Sequence, residues 1–407
     1  MRNRNRRLET STGIIFVALL AFGCGAPLPG EQEDVGESQQ LLIGTALPGL
    51  TAAQMTQFTA GQAVFAETED AADGLGPGFN DIGCAVCHSA GATGGGSTTV
   101  EKRIGKLTNG VFNPLANEGG ELLQLKGLGT SRVPGCNFNG EVVPADANVV
   151  AGRRTTPLFG LGFVDVTPDA TFETIAAAEP TAIRGRTNRV FNISANATTV
   201  GKFGWKAQVP TLFQFSGDAY VNEMGITNPQ FPHENVPNGN QALLTACDKV
   251  PELEDDGTDV ANFNNFMRLL AAPVPIAGNN ETRAGDQVFT RIGCDGCHVR
   301  TIHSGSSNVA ALSNKDYHPF SDFLLHDMGS LGDGIPDSGR ATGREMRTAP
   351  LWGMQFVDKG HILHDGRANA VSLAIELHDG QAAASRDLFR GLNGVDKANL
   401  VAFIKSL

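Results

Sequence analysis

Ile82-Gly83-Cys84-Ala85-Val86-Cys87-His88 returns in the C-terminal third of the chain as Ile292-Gly293-Cys294-Asp295-Gly296-Cys297-His298. Each copy is Cys-x-x-Cys-His. Two thiols three positions apart can each add across a vinyl group of one porphyrin, while the following imidazole reaches the iron from one face. Zinc would need four ligands pooled from both motifs, and a redox dithiol requires neither a His after its second Cys nor a second copy. The spacing therefore predicts two covalently bound haem c groups, held by Cys84, Cys87, Cys294 and Cys297, with His88 and His298 as iron ligands.

Working outward, more of the chain repeats. Ala60-Gly61-Gln62-Ala63-Val64-Phe65 precedes the first motif and Ala284-Gly285-Asp286-Gln287-Val288-Phe289 the second, each reading as a helix whose small and apolar side chains pack toward a haem edge. Downstream, Arg154-Thr155-Thr156-Pro157-Leu158-Phe159-Gly160 matches Arg347-Thr348-Ala349-Pro350-Leu351-Trp352-Gly353, and Phe163-Val164-Asp165 matches Phe356-Val357-Asp358. Pro is tolerated in a first helical turn, so each Pro suits a turn entering a short helix. The expected fold is mostly α: two cytochrome c-like haem domains from an internal duplication, with long irregular loops. Residues 43–275 form the N-terminal haem domain with insertions, and residues 276–407 the C-terminal one. Arg154 and Arg347 are candidates to pair with haem propionates, against ordinary surface ion pairing for either alone.

The N-terminus points to export. Arg2, Arg4, Arg6 and Arg7 precede an apolar run from Ile14 to Phe22, about half the ~20 residues that span a bilayer, so residues 1–23 read as a signal peptide more readily than as a retained helix. Gly23-Cys24 resembles a lipoprotein processing site, which would make Cys24 an acylated first residue and a lipid anchor the chain's one membrane attachment. Simple secretion is the alternative. Either route leads to the periplasmic side of a bacterial membrane, where haem c is attached. Residues 24–42 are polar and acidic and read as a tether.

Of seven Cys, four belong to the haem motifs and Cys24 to lipid. Cys136 and Cys247 remain, and in an oxidising compartment they read as a disulfide, against two buried thiols. The formal charge of −12 becomes more negative once the Arg-rich leader is removed, which leaves no basic stripe for nucleic acid. An acidic surface suits a small basic redox protein as electron donor or acceptor, or simply solubility.

These segments resemble a known family. The duplicated Arg-x-x-Pro-Leu segment and Ile362-Leu363-His364-Asp365-Gly366-Arg367-Ala368 look like bacterial di-haem cytochrome c peroxidases and the related methylamine dehydrogenase maturase. Gly74 to Asn80, Gly201 to Ala207, Glu223 to Asn228 and Leu324 to Gly329 resemble more closely the di-haem oxidoreductase family, also labelled thiol oxidoreductases, over roughly residues 43–407.

The resemblance implies a ligand set. The peroxidases carry a distal Met fourteen residues after the His of the His-Asp-Gly segment; here that position is His378, which implies a bis-His C-terminal haem. Met328, Met346 and Met354 are competing ligands that read more simply as packing. No His lies in 136–153, where the peroxidases place the distal ligand of the first haem, so Met224 or an open position is expected there. Trp205 and Trp352 are candidates to sit between the porphyrins or to pack on one. Glu173 and Glu179 follow the first repeat and are candidate acid-base groups, against a solvated helix face. The implied function is a di-haem oxidoreductase, peroxidase-like, with one relay haem and one haem reacting with an oxidant such as hydrogen peroxide. The rivals are an electron-transfer cytochrome without turnover and a maturase-like enzyme that oxidises a protein partner.

Overall fold

The computed structural model describes residues 43–251, 253–337, 339–357 and 361–407. The expected leader, tether and Cys24 lie outside them, as does Asp358 of the second repeat.

Both expected motif-preceding helices form. Ala52–Phe65 starts at Thr51, whose hydroxyl accepts from the Gln54 amide while the Gln54 side chain accepts from the Thr51 N–H. Asn280–Arg291 starts on the same reciprocal arrangement between Asn279 and Thr282. Such boxes satisfy two of the amides that a helix start leaves unpaired. Each helix then crosses a later one at a glycine. A Cβ on Gly61 would stand 2.4 Å from the Asn262 carbonyl oxygen in the helix Thr258–Leu269, and one on Gly285 would stand 1.9 Å from that of Asn399 in Gly394–Lys405. Only glycine allows backbones this close.

The chain is less helical than expected, with about 35% helix and 15% strand, so "mostly α" is corrected to helix-rich with a β insertion. Val100–Thr108 pairs antiparallel with Val149–Arg154, in the register Glu101↔Arg153, and takes Leu122–Leu123 along its other side. Side chains two apart on a strand share a face, so Glu101 and Arg103 stand together with Arg153 directly opposite Glu101. A charged strand face of this kind reads as exposed in sequence. Here it is turned inward, with Arg153 only 2% exposed.

Two of the hydrophobic clusters are large. One gathers Phe58, Phe65, Phe263 and Phe266 and extends beyond residue 276 to Tyr317, Phe323 and Trp352. The other packs Val288 and Phe289 against Leu400, Phe403 and Ile404. Cys136 and Cys247 are joined by a disulfide in the first of them, and closing so long a loop constrains the unfolded chain by about 4–5 kcal/mol. Arg153 bridges to Asp333 at 2.9 Å and Asp337 at 2.6 Å, and Lys206 to Asp333 at 2.8 Å, so the strand insertion is pinned through Arg153 to Asp333 and Asp337 by buried charges. Removing one partner of such a pair leaves an uncompensated buried charge, at a cost of about 3–5 kcal/mol.

Candidate functional site

The two Cys-x-x-Cys-His segments line two separate cavities. In the first, Cys84–Cys87 form a single helical turn and the His88 amide donates to the Cys84 carbonyl at 2.9 Å. In the second the turn is a short 3-10 segment, and the His298 amide donates to Cys294 at 3.0 Å. Each imidazole is oriented through Nδ1: His88 to the Gly95 carbonyl at 3.2 Å, and His298 to the Phe320 carbonyl at 2.8 Å. Such a bond fixes the ring and leaves Nε2 as the nitrogen for a metal. Phe65 and Phe289, equivalent in the two helices, lie 6.0 Å and 6.3 Å from the respective rings. Burial lowers both imidazole pKa values to about 4, so both stay neutral and able to ligate.

The cavity walls fit a porphyrin with acidic substituents. Cys84 and Cys87 line one cavity and Cys294 and Cys297 the other, all four as free thiols with pKa raised by burial. Arg154 lines both cavities and Arg347 the second. Neither guanidinium forms an ion pair among the described residues; Arg347 donates to the Gly204 carbonyl at 2.6 Å, while the buried Nε of Arg154 has no partner. Burial pulls both pKa values down to about 10. A buried cation without a counter-ion is costly, and a propionate supplies one.

Past this shared scaffold the cavities differ. The second holds His378, Met328, Met346 and Met354 among aliphatic side chains such as Val371, Ala374 and Ile375. His378 is held through Nδ1 by the Ala374 carbonyl at 2.7 Å, and burial lowers its pKa. His364 also lines this cavity, edge-on to Trp205 at 6.3 Å. Cys297 and His326 line it too, with Cys297 Sγ 3.7 Å from His326 Nδ1 and His326 Nε2 3.0 Å from the buried Asp322.

The first cavity is polar beyond His88. The inward strand face contributes Glu101, Arg103 and Arg153, and the helix Leu212–Met224 contributes Asp218, Asn222, Glu223 and Met224. Arg103 bonds Glu101 at 2.9 Å and Glu121 at 3.0 Å. Burial and the neighbouring Glu101 push Glu223 well above the usual carboxyl range. Burial acts the same way on Glu101, but Arg103 beside it wins and holds it low. The two carboxyls therefore perturb each other in opposite directions, Glu223 toward the protonated form and Glu101 toward the ionised one.

Trp205 lines both cavities, with Nε1 donating to the Arg154 carbonyl at 2.8 Å. Trp352 lines only the second. The candidate acid-base residues lie elsewhere: neither Glu173 nor Glu179 lines either motif cavity. Glu173 is on an exposed face, paired with Arg189, because its helix turns that side to solvent. Glu179 is buried, but it accepts from the Gly185 amide at 2.6 Å and sits near Asp322 and His326, under the second motif instead of in the first cavity. Sequence reasoning missed Glu101, Arg103, Asp218 and Glu223; only Glu223 carried a signal, as the neighbour of Met224 in a segment already singled out.

Comparison with known proteins identifies a family. The profile described as "Di-haem oxidoreductase, putative peroxidase" matches residues 132–407. Among curated proteins no sequence matches. Of solved structures, hydrazine synthase from Kuenenia stuttgartiensis aligns at 14% identity and a TM-score of 0.41, covering 98% of this chain and 100% of that one. A MauG-like protein associated with microbial copper homeostasis aligns at 15% identity and a TM-score of 0.30, covering 61% of this chain and 89% of that one. With a family match over well over half its length, and two cavities each built around a cysteine pair and a neutral histidine, the chain belongs to the di-haem oxidoreductase family.

Proposed function

We propose that the chain is a peroxidase-like enzyme facing the periplasm, anchored through Cys24, with haem c bound covalently at both motifs and hydrogen peroxide as oxidant. The paired scaffolds support an origin by duplication, each with a capped helix, a glycine crossing and a Phe on the proximal imidazole. The first haem is the reactive one and the second the relay. One observation carries this division: two carboxyls that perturb each other's titration, Glu101 and Glu223, line the first cavity, and the buried imidazole of His378 lines the second.

Bound haem supplies redox equivalents and an iron position for small ligands. The chain supplies the protons and the geometry. Glu223 keeps a proton because burial and Glu101 disfavour its charge, and Glu101 accepts one because Arg103 keeps it ionised. A pair so divided gives and takes protons at adjacent oxygens of a substrate, which general acid-base catalysis requires. Arg103 fixes Glu101 in place, and Asn80 donates to Glu223 at 2.8 Å. Trp205, common to both cavity walls and tied to Arg154, suits passage of electrons between the haems. A small soluble redox protein is the proposed electron donor, consistent with the acidic charge.

The test is electron paramagnetic resonance of the ferric holoprotein. One strongly low-spin haem and one high-spin or weakly ligated haem, with peroxide reaction confined to the latter, is the expected result. Two strongly low-spin haems with no peroxide reaction after one-electron reduction would replace this reading with an electron-transfer cytochrome.

A further inference from the structure

A third cavity lies beside the first haem cavity, and no haem motif lines it. Its walls include Glu121, Gln214, Asn235, Asp337 and the aliphatic Leu122 and Ile193. Four residues belong to both linings: Arg103, Gln208, Asp218 and Asn222. They form the partition between the two spaces. Arg103 spans it, since its partner Glu101 lines the haem cavity and its other partner Glu121 lines the neighbouring chamber. Asn222 donates to Asp218 at 3.0 Å across the same wall, and Gln208 is held by the Lys206 amide at 3.0 Å.

We propose that this chamber is the access vestibule of the first haem cavity, admitting small neutral hydrogen-bonding solutes of the hydroperoxide class and excluding anions. The inference rests on the first haem being the reaction site. Three carboxyl groups, Glu121, Asp218 and Asp337, line the chamber with Arg103; Arg103 is engaged by Glu101 and Glu121 and Asp337 by Arg153 behind the wall, so these side chains together carry more acidic than basic groups. An anion entering there meets net repulsion in a partly desolvated space, where charges act more strongly than in water. Gln214, Asn222 and Asn235 are held by the protein, and the Nε2 of Gln208 and the Oδ1 of Asn235 give a neutral solute a donor and an acceptor in exchange for its water. The partition is made of side chains, which move on far shorter timescales than backbone. The partition is also continuous with the Glu101–Glu223 pair, so solute and proton arrive by one route. Asp218, raised to about 6 by burial, stands on that route with a carboxyl that exchanges protons near neutral pH.

The experiment uses the mature holoprotein with both haems and follows cyanide binding, neutral at pH 7, by rapid mixing, with azide as the anionic comparison. Leu122→Trp and Ile193→Trp fill the chamber from walls that do not touch the haem cavity. A blocked path slows association and dissociation together, so each plug is expected to slow cyanide binding at least tenfold with an unchanged dissociation constant and unchanged haem spectra. Gln208→Ala thins the partition and is expected to speed it, and azide is expected to bind far more slowly than cyanide in wild type. Wild-type cyanide rates in both plugged variants would overturn the vestibule while leaving the reactive first haem intact. Failure of the wild-type first haem to bind cyanide or react with peroxide would instead remove the reading on which the vestibule rests.

Discussion

The two motif regions share their proximal side and differ on the other. Each has a boxed helix start, a glycine at a backbone crossing, a Phe against the imidazole and a carbonyl fixing Nδ1. All of this is built from segments close in sequence to the motif or from one returning helix. The opposite walls come from elsewhere: an inward charged strand face and the helix Leu212–Met224 for the first cavity, the helix Val371–Glu376 and its following His378 for the second. A repeated anchor therefore fixes where each cofactor sits, and non-repeated elements decide what each can do.

The strongest way to break this contrast is to remove the second imidazole. His378→Ala is expected to convert the low-spin signal of the C-terminal haem entirely to high-spin and to raise its potential, within the ~0.8 V span that axial ligation commands. Met224→Ala, in the first cavity, is expected to leave the spin state of the C-terminal haem unchanged and to preserve or increase peroxide reaction. Redox titration monitored by visible spectra checks both. If His378→Ala leaves the low-spin signal intact, His364 or one of the cavity methionines is the ligand and the contrast must be redrawn.

The polar side is tested by its carboxyl pair. Glu223→Gln and Glu101→Gln each keep the shape but remove a titrating carboxyl, and each is expected to lower peroxide turnover by about 10²–10⁴-fold, typical of a lost general acid or base. Ligand-free haem spectra should not change, since neither residue contacts the motif Cys or His in the hydrogen-bond pattern. Glu173→Gln serves as the control: exposed and paired with Arg189, it should retain wild-type turnover.

The contrast also explains what was legible in the sequence. Motif spacing alone carries the proximal sites, because two thiols and an imidazole within five residues are a local constraint that any fold must respect. The helices before each motif were legible for the same reason, through repeated Ala-Gly and Val-Phe positions. The polar wall was not, because Glu101, Arg103 and Arg153 alternate on strands whose charges read as solvent-facing until the register brings Asp333, Asp337 and Glu121 over them. Charge pairing across such sequence distances leaves no periodic trace. Glu173 and Glu179 lie away from both motif cavities for the converse reason: proximity in sequence to Arg154 does not survive the turn at Pro168, which starts the helix that carries Glu173 and ends before Glu179.

If the two anchors are equivalent, they should respond alike to the same injury but not equally. Gly285→Ala and Gly61→Ala each force a methyl into a facing carbonyl, an overpacking that costs about 1–3 kcal/mol, offset by up to about 1 kcal/mol of helix propensity. The approach is 1.9 Å at Gly285 and 2.4 Å at Gly61, so Gly285→Ala should be the more damaging. Denaturant titration of the holoprotein gives the order, and a reversal would mean that the first crossing is the more rigid.

The smallest expected effect separates structural from catalytic carboxyls. Glu179 is raised to about 7, by burial first, with the Gly185 amide opposing and Asp322 adding to the rise. In the unfolded chain it titrates near 4.5, so between those values the native state holds a proton that the unfolded state has lost. Stability then falls as pH rises through that window, at no more than about 1.4 kcal/mol per pH unit for one group. Glu179→Gln should flatten the slope between about pH 4.5 and 7 in denaturant midpoints measured across pH, while peroxide turnover stays at the wild-type level. A loss of turnover as large as that of Glu223→Gln would place proton handling beneath the second motif, and the polar first cavity would lose its claim to be the reactive one.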